Sequence, residues 1–223
     1  MAINRERGRY IVWEGSDGAG KSTQMKLALA ESARRGIETL AVREPGYTQL
    51  GQELRGILLT PRSEEEEFDA ETEALIYLAD RSHLYRRIVA PALERGIDVH
   101  SDRNWWSSIA YQAAAGGVDV EKLIATTKLM MPERYIEPDI GLVLQLTTEE
   151  RKRRKLAEAI RSGIGLDRIE QRHDDYFERV DQGYERYAIR RFGAYGINAF
   201  GPEQEVASRW WGLVFPAELD IAN

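Results

Sequence analysis

The stretch Gly15-Ser16-Asp17-Gly18-Ala19-Gly20-Lys21-Ser22 decides the fold. It matches the pattern G-x-x-x-x-G-K-[ST], a phosphate loop whose glycines let successive backbone N–H groups turn toward a phosphate. The preceding run, residues 9–14, is apolar and β-prone, and the following run, residues 22–35, has helical spacing and ends at Gly36. This strand, loop and helix context predicts that nucleotide phosphates bind at the N-terminus of the helix.

The loop also predicts which atoms hold a bound nucleotide and its metal ion. Lys21 is suited to reach the β- and γ-phosphates of ATP, and Ser22 to offer its hydroxyl to Mg²⁺. A glycine-rich turn that binds nothing is the alternative, and the complete motif in its context disfavours it. The predicted nucleotide-binding residues are Gly15, Ser16, Asp17, Gly18, Ala19, Gly20, Lys21, Ser22 and Thr23.

The composition favours a soluble globular protein. The 223 residues are 43% hydrophobic and 30% charged, with a net charge of −6 and no cysteine. No apolar run reaches the roughly 18 residues that cross a membrane, and the N-terminus lacks a signal peptide's apolar core. We therefore expect a cytoplasmic protein with no membrane partner. The acidic charge argues against general nucleic-acid binding, and the missing cysteines exclude disulfides and thiolate metal sites.

The periodicity predicts an α/β fold in one domain, residues 1–223. Residues 70–94 have helical spacing throughout, with Pro91 expected to kink or end the last turn. The run Glu64–Glu67 is expected in a solvated loop or helix start. Five apolar runs separated by helix-like stretches predict a parallel sheet covered on both faces. They lie at about 9–14, 38–43, 97–101, 140–146 and 195–200.

Residues at two predicted strand ends indicate which class of phosphate-loop protein this is. The sequence has no Asn-Lys-x-Asp guanine reader and no Leu-Ser-Gly-Gly-Gln transporter signature. Asp102 and Arg103 follow one strand, where Asp102 is suited to Mg²⁺ or its water shell and Arg103 to a phosphate, although a structural ion pair is equally compatible. Arg43 ends another strand. Two arginines facing one phosphate loop predict a second, phosphorylated substrate.

The segment from about 148 to 168 is dense in cations for an acidic chain. Its Gly163-Ile164-Gly165 break predicts a small mobile lid that brings an arginine over the transferring phosphoryl group. An exposed basic helix with pairs such as Glu150 and Arg154 is the alternative. The cations are Arg151, Lys152, Arg153, Arg154, Lys155, Arg161 and Arg168.

Five motifs in order resemble those of bacterial thymidylate kinases over nearly the whole chain: Glu14 to Thr23, Arg43-Glu44-Pro45-Gly46, Asp102-Arg103, Ala110-Tyr111-Gln112 and Asp167-Arg168-Ile169-Glu170. The resemblance implies the phosphate-loop kinase fold, a homodimer, and the reaction of ATP with dTMP to give ADP and dTDP, with Mg²⁺. It also implies a catalytic arginine in the lid, because the phosphate loop contains none. A kinase for another deoxynucleoside monophosphate, such as dUMP or a modified pyrimidine, and a non-catalytic nucleotide-binding regulator stay open as alternatives.

The resemblance also assigns roles to individual residues. Arg43 and Arg103 are expected to clamp the acceptor phosphate, and Arg81 to bind the thymine carbonyl. Tyr77 stands where the family places a base-stacking phenylalanine, and its hydroxyl is a departure from that pattern. The expected catalytic residues are Lys21, Asp17, Arg103, Arg154 and Arg161. The expected metal ligands are Ser22 and Asp102. The expected substrate-binding residues are Asp17, Arg43, Pro45, Tyr77, Arg81, Arg103, Ser107, Ser108, Tyr111 and Gln112.

Overall fold

A parallel five-stranded sheet in the order β2-β3-β1-β4-β5 forms the centre of the fold. The structure is a computed structural model that describes residues 7–162 and 167–217. The strands are β1 (Tyr10–Glu14), β2 (Thr39–Arg43), β3 (Asp98–Asp102), β4 (Ile140–Gln145) and β5 (Tyr195–Asn198). The α/β class and the five-stranded parallel sheet are thereby confirmed. Every strand lies within one or two residues of its predicted bounds.

Helices cover both faces of this sheet. They are α1 (Lys21–Arg34), α2 (Gln49–Leu59), α3 (Ala70–Leu84), α4 (Ala90–Glu94), α5 (Trp105–Ser108), α6 (Val120–Met130), α7 (Glu133–Ile136), α8 (Thr148–Ser162), α9 (Asp174–Gly183) and α10 (Glu203–Val214). Wider π-helical turns occupy Tyr85–Val89, Ile109–Ala115 and Tyr184–Ile189, and a short 3₁₀ turn occupies Glu64–Glu66. Within the two described ranges, no helix is both long enough and apolar enough to cross a membrane.

The helix predicted over 70–94 is helical throughout but not one regular α-helix. It widens into a π-helical turn between α3 and α4, just before Pro91. Proline has no N–H to donate to the carbonyl of Arg87, and the widened turn lies at that position. The chain leaves the helix after Glu94, within one turn of Pro91.

Strand β1 is fully buried because the sheet is covered on both faces. Tyr10 and Val12 point into one hydrophobic core, and Ile11 and Trp13 point into the other. In the second core the Trp13 ring meets Trp210 of α10 edge to face, with 5.0 Å between the ring centroids. The uninterrupted apolar run that predicts β1 thus reflects burial on two sides.

The strand order brings three loops to one edge of the sheet. Strands β2, β3 and β1 are parallel neighbours, so the segments after their last residues, Arg43, Asp102 and Glu14, leave from the same edge. Open parallel sheets bind their ligands at this edge. The phosphate loop, which follows β1, therefore lies close to the segments that follow β2 and β3.

Candidate active site

The glycines of the phosphate loop have conformations that other residues adopt at a cost. The φ angles are 128° at Gly15, 83° at Gly18 and 94° at Gly20. A Cβ on Gly15 would also lie 2.3 Å from the carbonyl oxygen of Leu144 on β4. Gly20 is the N-cap of α1, so the loop turns directly into the first N–H groups of that helix. This geometry provides the anion-binding helix terminus that the motif predicts.

Lys21 is folded back over the loop. Its Nζ donates hydrogen bonds to the carbonyl oxygens of Gly15, at 2.9 Å, and Ser16, at 3.3 Å, and lies 3.8 Å from Oδ1 of Asp17. Burial lowers the pKa of the Lys21 ammonium group, and the nearby Arg103 guanidinium lowers it further. The oxygens of a phosphate bound in the loop would stabilise the charged form of Lys21, which burial disfavours.

The two predicted metal ligands lie close together: Ser22, at the start of α1, and Asp102, the last residue of β3. The Ser22 hydroxyl donates to Oδ2 of Asp102 at 3.2 Å. Oδ1 of Asp102 is buried and has no hydrogen-bond partner within the described ranges. Mg²⁺ prefers oxygen ligands and uses one or two carboxylates with water and substrate phosphates. This oxygen pair fits such an ion, and the described residues contain no cluster of three or more acidic or histidine ligands.

Arg103 turns away from β3 in a left-handed conformation, with φ 76°. Its Nη2 donates to Oδ1 of Asp17 at 2.7 Å, and its Nη1 donates to Oγ of Ser107 and the hydroxyl of Tyr184, at 3.1 and 3.0 Å. Burial alone would raise the pKa of Asp17, but Arg103 and Lys21 outweigh it and hold that pKa well below its usual range. Asp17 is therefore a carboxylate at neutral pH.

Glu14, the last residue of β1, fixes the segment that carries Arg103. Its Oε1 accepts from the backbone N–H groups of Asn104, at 2.8 Å, and Ser107, at 3.1 Å. Its Oε2 accepts from the hydroxyls of Ser107, at 2.7 Å, and Tyr184, at 2.8 Å. This fully buried carboxylate therefore ties β1, α5 and the helix after α9 into one network beneath the loop.

A cavity of about 130 Å³ opens beside the phosphate loop. Eight predicted residues line it: Asp17, Pro45, Tyr77, Arg81, Arg103, Ser107, Tyr111 and Gln112. Five others complete the lining: Arg55, Leu59, Asp167, Ile169 and Glu170. Arg81 and Arg103 are both among the lining residues, so the cavity is suited to a ligand that carries negative charge and hydrogen-bond acceptors.

Arg81 is a buried residue of the cavity wall. Its Nε donates to Oε2 of Glu44 at 3.0 Å, its Nη1 donates to Oγ of Ser108, and its Cζ lies 5.2 Å from the centre of the Tyr77 ring. Tyr135 also donates to Oε2 of Glu44, at 2.7 Å. Burial raises the pKa of Tyr77 to about 12, so its hydroxyl keeps its proton. Ser108 thus holds Arg81 and is absent from the cavity lining.

Gln112 has a fixed amide orientation. Its Nε2 donates to Oε2 of Glu73 at 3.2 Å, and a carboxylate that is paired with Arg168 and Arg172 accepts hydrogen bonds only. The amide oxygen of Gln112 therefore points away from Glu73. That oxygen is buried and has no partner among the residues the structure describes. Gln112 lines the cavity, so a ligand that reaches this oxygen would find an unpaired acceptor.

The structure separates the two predicted lid arginines. Arg154 donates to Glu150 at 2.8 Å and to the carbonyl of Ala199 at 2.9 Å, and its Nη1 lies 3.6 Å from where a Cβ on Gly20 would be. Arg154 therefore spans the end of the phosphate loop. Arg161 is exposed near the end of α8, without a hydrogen bond or ion pair to any residue of 7–162 or 167–217. The predicted break at 163–165 lies outside the described residues.

Arg43 also lies apart from the cavity lining. It is exposed at the end of β2, and its Nε and Nη2 each lie 3.4 Å from the carbonyl oxygen of Gly46. These are long hydrogen bonds to one acceptor, so the guanidinium keeps donors for another partner.

Sequence reasoning missed several residues that hold the site together. Tyr184 contacts Arg103 and Ser107 although it lies 81 residues after Arg103, and no local pattern links them. Glu14 belongs to the quoted loop motif, yet its role as a buried acceptor emerges only from the fold. Arg168 was predicted as a lid cation, but it is buried and donates to the carbonyl of Leu58 at 2.7 Å. Asp167, Ile169 and Glu170 line the cavity, and the motif Asp167-Arg168-Ile169-Glu170 was the sequence signal that could have indicated them.

The chain has a phosphate loop after the first strand of a parallel sheet, and a cavity lined by arginines lies beside that loop. This combination defines a phosphate-loop protein that holds a nucleotide and another anion. The family model described as thymidylate kinase matches residues 13–209. The chain belongs to the thymidylate kinase family.

Three relatives described as thymidylate kinases show how far the similarity extends. The Alkalilimnicola ehrlichii protein is 40% identical over 82% of this chain and 81% of its own length. The Exiguobacterium sibiricum protein is 36% identical over 82% of each chain. The Francisella tularensis subsp. tularensis protein is 34% identical over 96% of this chain and 99% of its own. The similarity therefore covers both the phosphate loop and the cavity lining.

Proposed function

We propose that this chain is a single kinase domain, residues 1–223, that transfers the γ-phosphoryl group of ATP to the 5′-phosphate of dTMP, with Mg²⁺. The observation that carries the proposal is the cavity beside the phosphate loop, with Arg103 near the loop and Arg81 and Gln112 lining it as well. A protein that only binds ATP has no need of this second anion-binding cavity. Membership of the thymidylate kinase family supports the same reaction.

On the donor side, the loop from Gly15 to Thr23 binds the phosphates of ATP. Lys21 exchanges its hydrogen bonds with the loop carbonyls for phosphate oxygens. Ser22 and Asp102 would hold Mg²⁺, directly or through water, and the ion would supply positive charge against the phosphates of the nucleotide. The unpaired buried Oδ1 of Asp102 supports this assignment.

On the acceptor side, Arg103 binds the phosphate of dTMP with help from Arg43. Asp17, Ser107 and Tyr184 already fix the Arg103 side chain, so little side-chain freedom is lost on binding. Asp17 stays ionised and is available to a sugar hydroxyl, as the resemblance implies. Tyr111 supports the same arginine, because its ring lies 5.2 Å from Cζ of Arg103.

The part of the cavity wall formed by Arg81 and Gln112 selects the base by its hydrogen-bonding pattern. Arg81 is a donor, and the amide oxygen of Gln112 is an unpaired acceptor. Thymine offers the matching pair, a carbonyl at O4 and a donor at N3–H, with Tyr77 and Pro45 against the ring. Cytosine presents an amino group and an unprotonated nitrogen at these positions, which would leave buried groups unpaired. This pattern favours thymine or uracil.

The lid supplies an arginine to the transition state. Arg154 is the better placed of the two proposed residues, because it already lies beside Gly20, while Arg161 would have to move with the lid. A cation over the transferring phosphoryl group stabilises charge that grows during transfer, and lid closure excludes water that would otherwise hydrolyse ATP. Positioning and electrostatics suffice for this reaction, so no covalent nucleophile is invoked.

A homodimer is also proposed. The lining of an apolar groove between α3 and α6 includes Leu75, which is 60% exposed, and Met130, which is 48% exposed. Leu129, the neighbour of Met130 on α6, is 84% exposed. A second copy of this chain would remove this surface from water. Sedimentation equilibrium would give a mass near twice that of one chain, and a monomer at micromolar concentration would refute the dimer.

The first test is ADP production with ATP and Mg²⁺ across dTMP, dUMP, dCMP, dGMP and dAMP, with a reaction lacking acceptor as control. Selective activity with dTMP is expected. Activity with a different acceptor would leave the proposed mechanism in place and would show that this other nucleotide is the substrate. ADP production that is the same with and without every acceptor would overturn the proposed transfer.

A further inference from the structure

Ser16 of the phosphate loop is tied to a residue far along the chain. Its side chain is buried, and its hydroxyl donates a hydrogen bond to Oδ1 of Asp181 on α9, 165 residues later. Burial raises the pKa of Asp181, while the Ser16 hydrogen bond and the charge of Arg151 oppose that rise. The first turn of the loop is therefore anchored to a carboxylate that the transfer mechanism above does not use.

Arg151 of α8 faces the same side of α9. Its guanidinium stacks on the ring of Phe177, with 4.3 Å from Cζ to the ring centre, and its Nη2 lies 3.8 Å from Oδ1 of Asp174. Asp174, Phe177 and Asp181 are spaced so that they share one face of α9. Arg151 is 6% exposed, yet its Nε and Nη2 have no hydrogen-bond partner within 7–162 or 167–217.

The lid helix α8 also crosses directly over the phosphate loop. A Cβ on Gly18 would lie 3.2 Å from Cγ of Lys155 and 3.5 Å from the carbonyl oxygen of Arg151. The loop, α8 and α9 therefore meet around Ser16, Gly18 and Asp181. A change at Asp181 acts directly on the loop, since Ser16 is bonded to its carboxylate. Arg151 of α8 packs on Phe177 and lies near Asp174, on the same face of α9.

We infer that Asp181 is a positioning residue for the donor site: it holds Ser16, and so fixes the phosphate loop against the face of α9 on which Arg151 of the lid helix packs, before ATP arrives. The inference rests on the proposed use of ATP. It gives α9 a function at the donor site through Ser16, while Tyr184, in the π-helical turn that follows α9, contacts Arg103 on the acceptor side. Asp181 itself need not touch the nucleotide.

The test compares D181A, D181N and S16A with a matched control, D175N, which makes the same chemical change at an exposed position of α9. Calorimetric titration with MgADP measures donor binding without turnover, and steady-state kinetics give KM for ATP and dTMP separately. D181A is expected to weaken MgADP binding about fivefold, the effect of one hydrogen bond. KM for dTMP should stay within about twofold. D181N, whose amide oxygen can still accept from Ser16, should fall between D181A and the wild type.

The double variant S16A/D181A separates positioning from general destabilisation. Because both single variants break the same hydrogen bond, the double variant should bind MgADP no more weakly than D181A. Unchanged or tighter MgADP binding in D181A would overturn the inference, as would an equal loss for both substrates or fully additive effects. Wild-type MgADP binding without phosphoryl transfer to dTMP would instead refute the proposed function and leave this test intact.

Discussion

Replacing Gln112 by leucine should reduce the selectivity for dTMP over dCMP. The side chain keeps a similar size, but the cavity loses the buried amide oxygen proposed to accept the thymine N3–H. Glu73 loses one donor, at 3.2 Å, and keeps its ion pairs with Arg168 and Arg172. The variant should therefore fold, and its main defect should lie in base recognition.

The magnitude follows from leaving one polar group unpaired. Thymine N3–H would face a hydrocarbon side chain, which costs about 1–3 kcal/mol, or about 5- to 150-fold in kcat/KM for dTMP. Cytosine has an acceptor at N3 that opposes the oxygen of Gln112 in the wild type. Removing that oxygen relieves the opposition, so kcat/KM for dCMP should not fall.

The assay is the ratio of kcat/KM for dTMP and dCMP in wild type, Q112L and the control Q204L, an exposed position on α10. Q204L should retain the wild-type ratio. Equal losses for both acceptors in Q112L, with a preserved ratio, would show that Gln112 supports the cavity without reading the base. A wild-type ratio near one would refute the base-recognition argument outright.

Three further perturbations test other parts of the structure. Burial lowers the pKa of His100 to about 4. Between pH 6.5 and 4, this imidazole therefore gains a proton only in the unfolded chain. The free energy of unfolding should fall by up to about 3 kcal/mol as the pH drops through this range. H100N, whose amide oxygen can accept from Trp13, should lack that component in urea unfolding at pH 7 and 4.5; parallel pH dependences would contradict this. G183A would place a Cβ 2.8 Å from that of Ala114, so it should lower the free energy of unfolding by about 1–3 kcal/mol and raise KM for dTMP, whereas G212A, in open space, should do neither. K21A should lower kcat at least about 100-fold, and a near-normal kcat would remove Lys21 from the donor site.

Most of the fold could be predicted because its signals are local. The phosphate loop needs consecutive residues, and a strand buried on both faces appears as an apolar run, so β1 and its neighbours were placed within one or two residues. The π-helical turns were not predicted. A widened turn keeps the composition of an ordinary helix, and only packing around Tyr85 or Tyr111 decides where it occurs.

The candidate site also contains residues that local motifs could predict and residues that only the fold brings together. Asp102, Arg103 and Gln112 stand in short motifs, and they lie at the cavity or the loop in the structure. Tyr184 and Asp181 act through contacts with residues 81 and 165 positions away, which no spacing rule indicates. Arg154 and Arg161 were both expected to be catalytic because the resemblance implies an arginine in the lid and both lie in the predicted lid. The sequence does not distinguish them, and only the fold places Arg154 beside the loop.

The left-handed turn at Arg103 makes the two nucleotide sites mechanically continuous. Asp102 faces the donor loop through Ser22, while the next residue faces the acceptor cavity. The two residues are consecutive, so a displacement of this short backbone segment on binding at one site would also shift the residue that serves the other. Thermodynamic reciprocity then requires a single coupling factor: whatever change ATP makes to the affinity for dTMP, dTMP makes to the affinity for ATP.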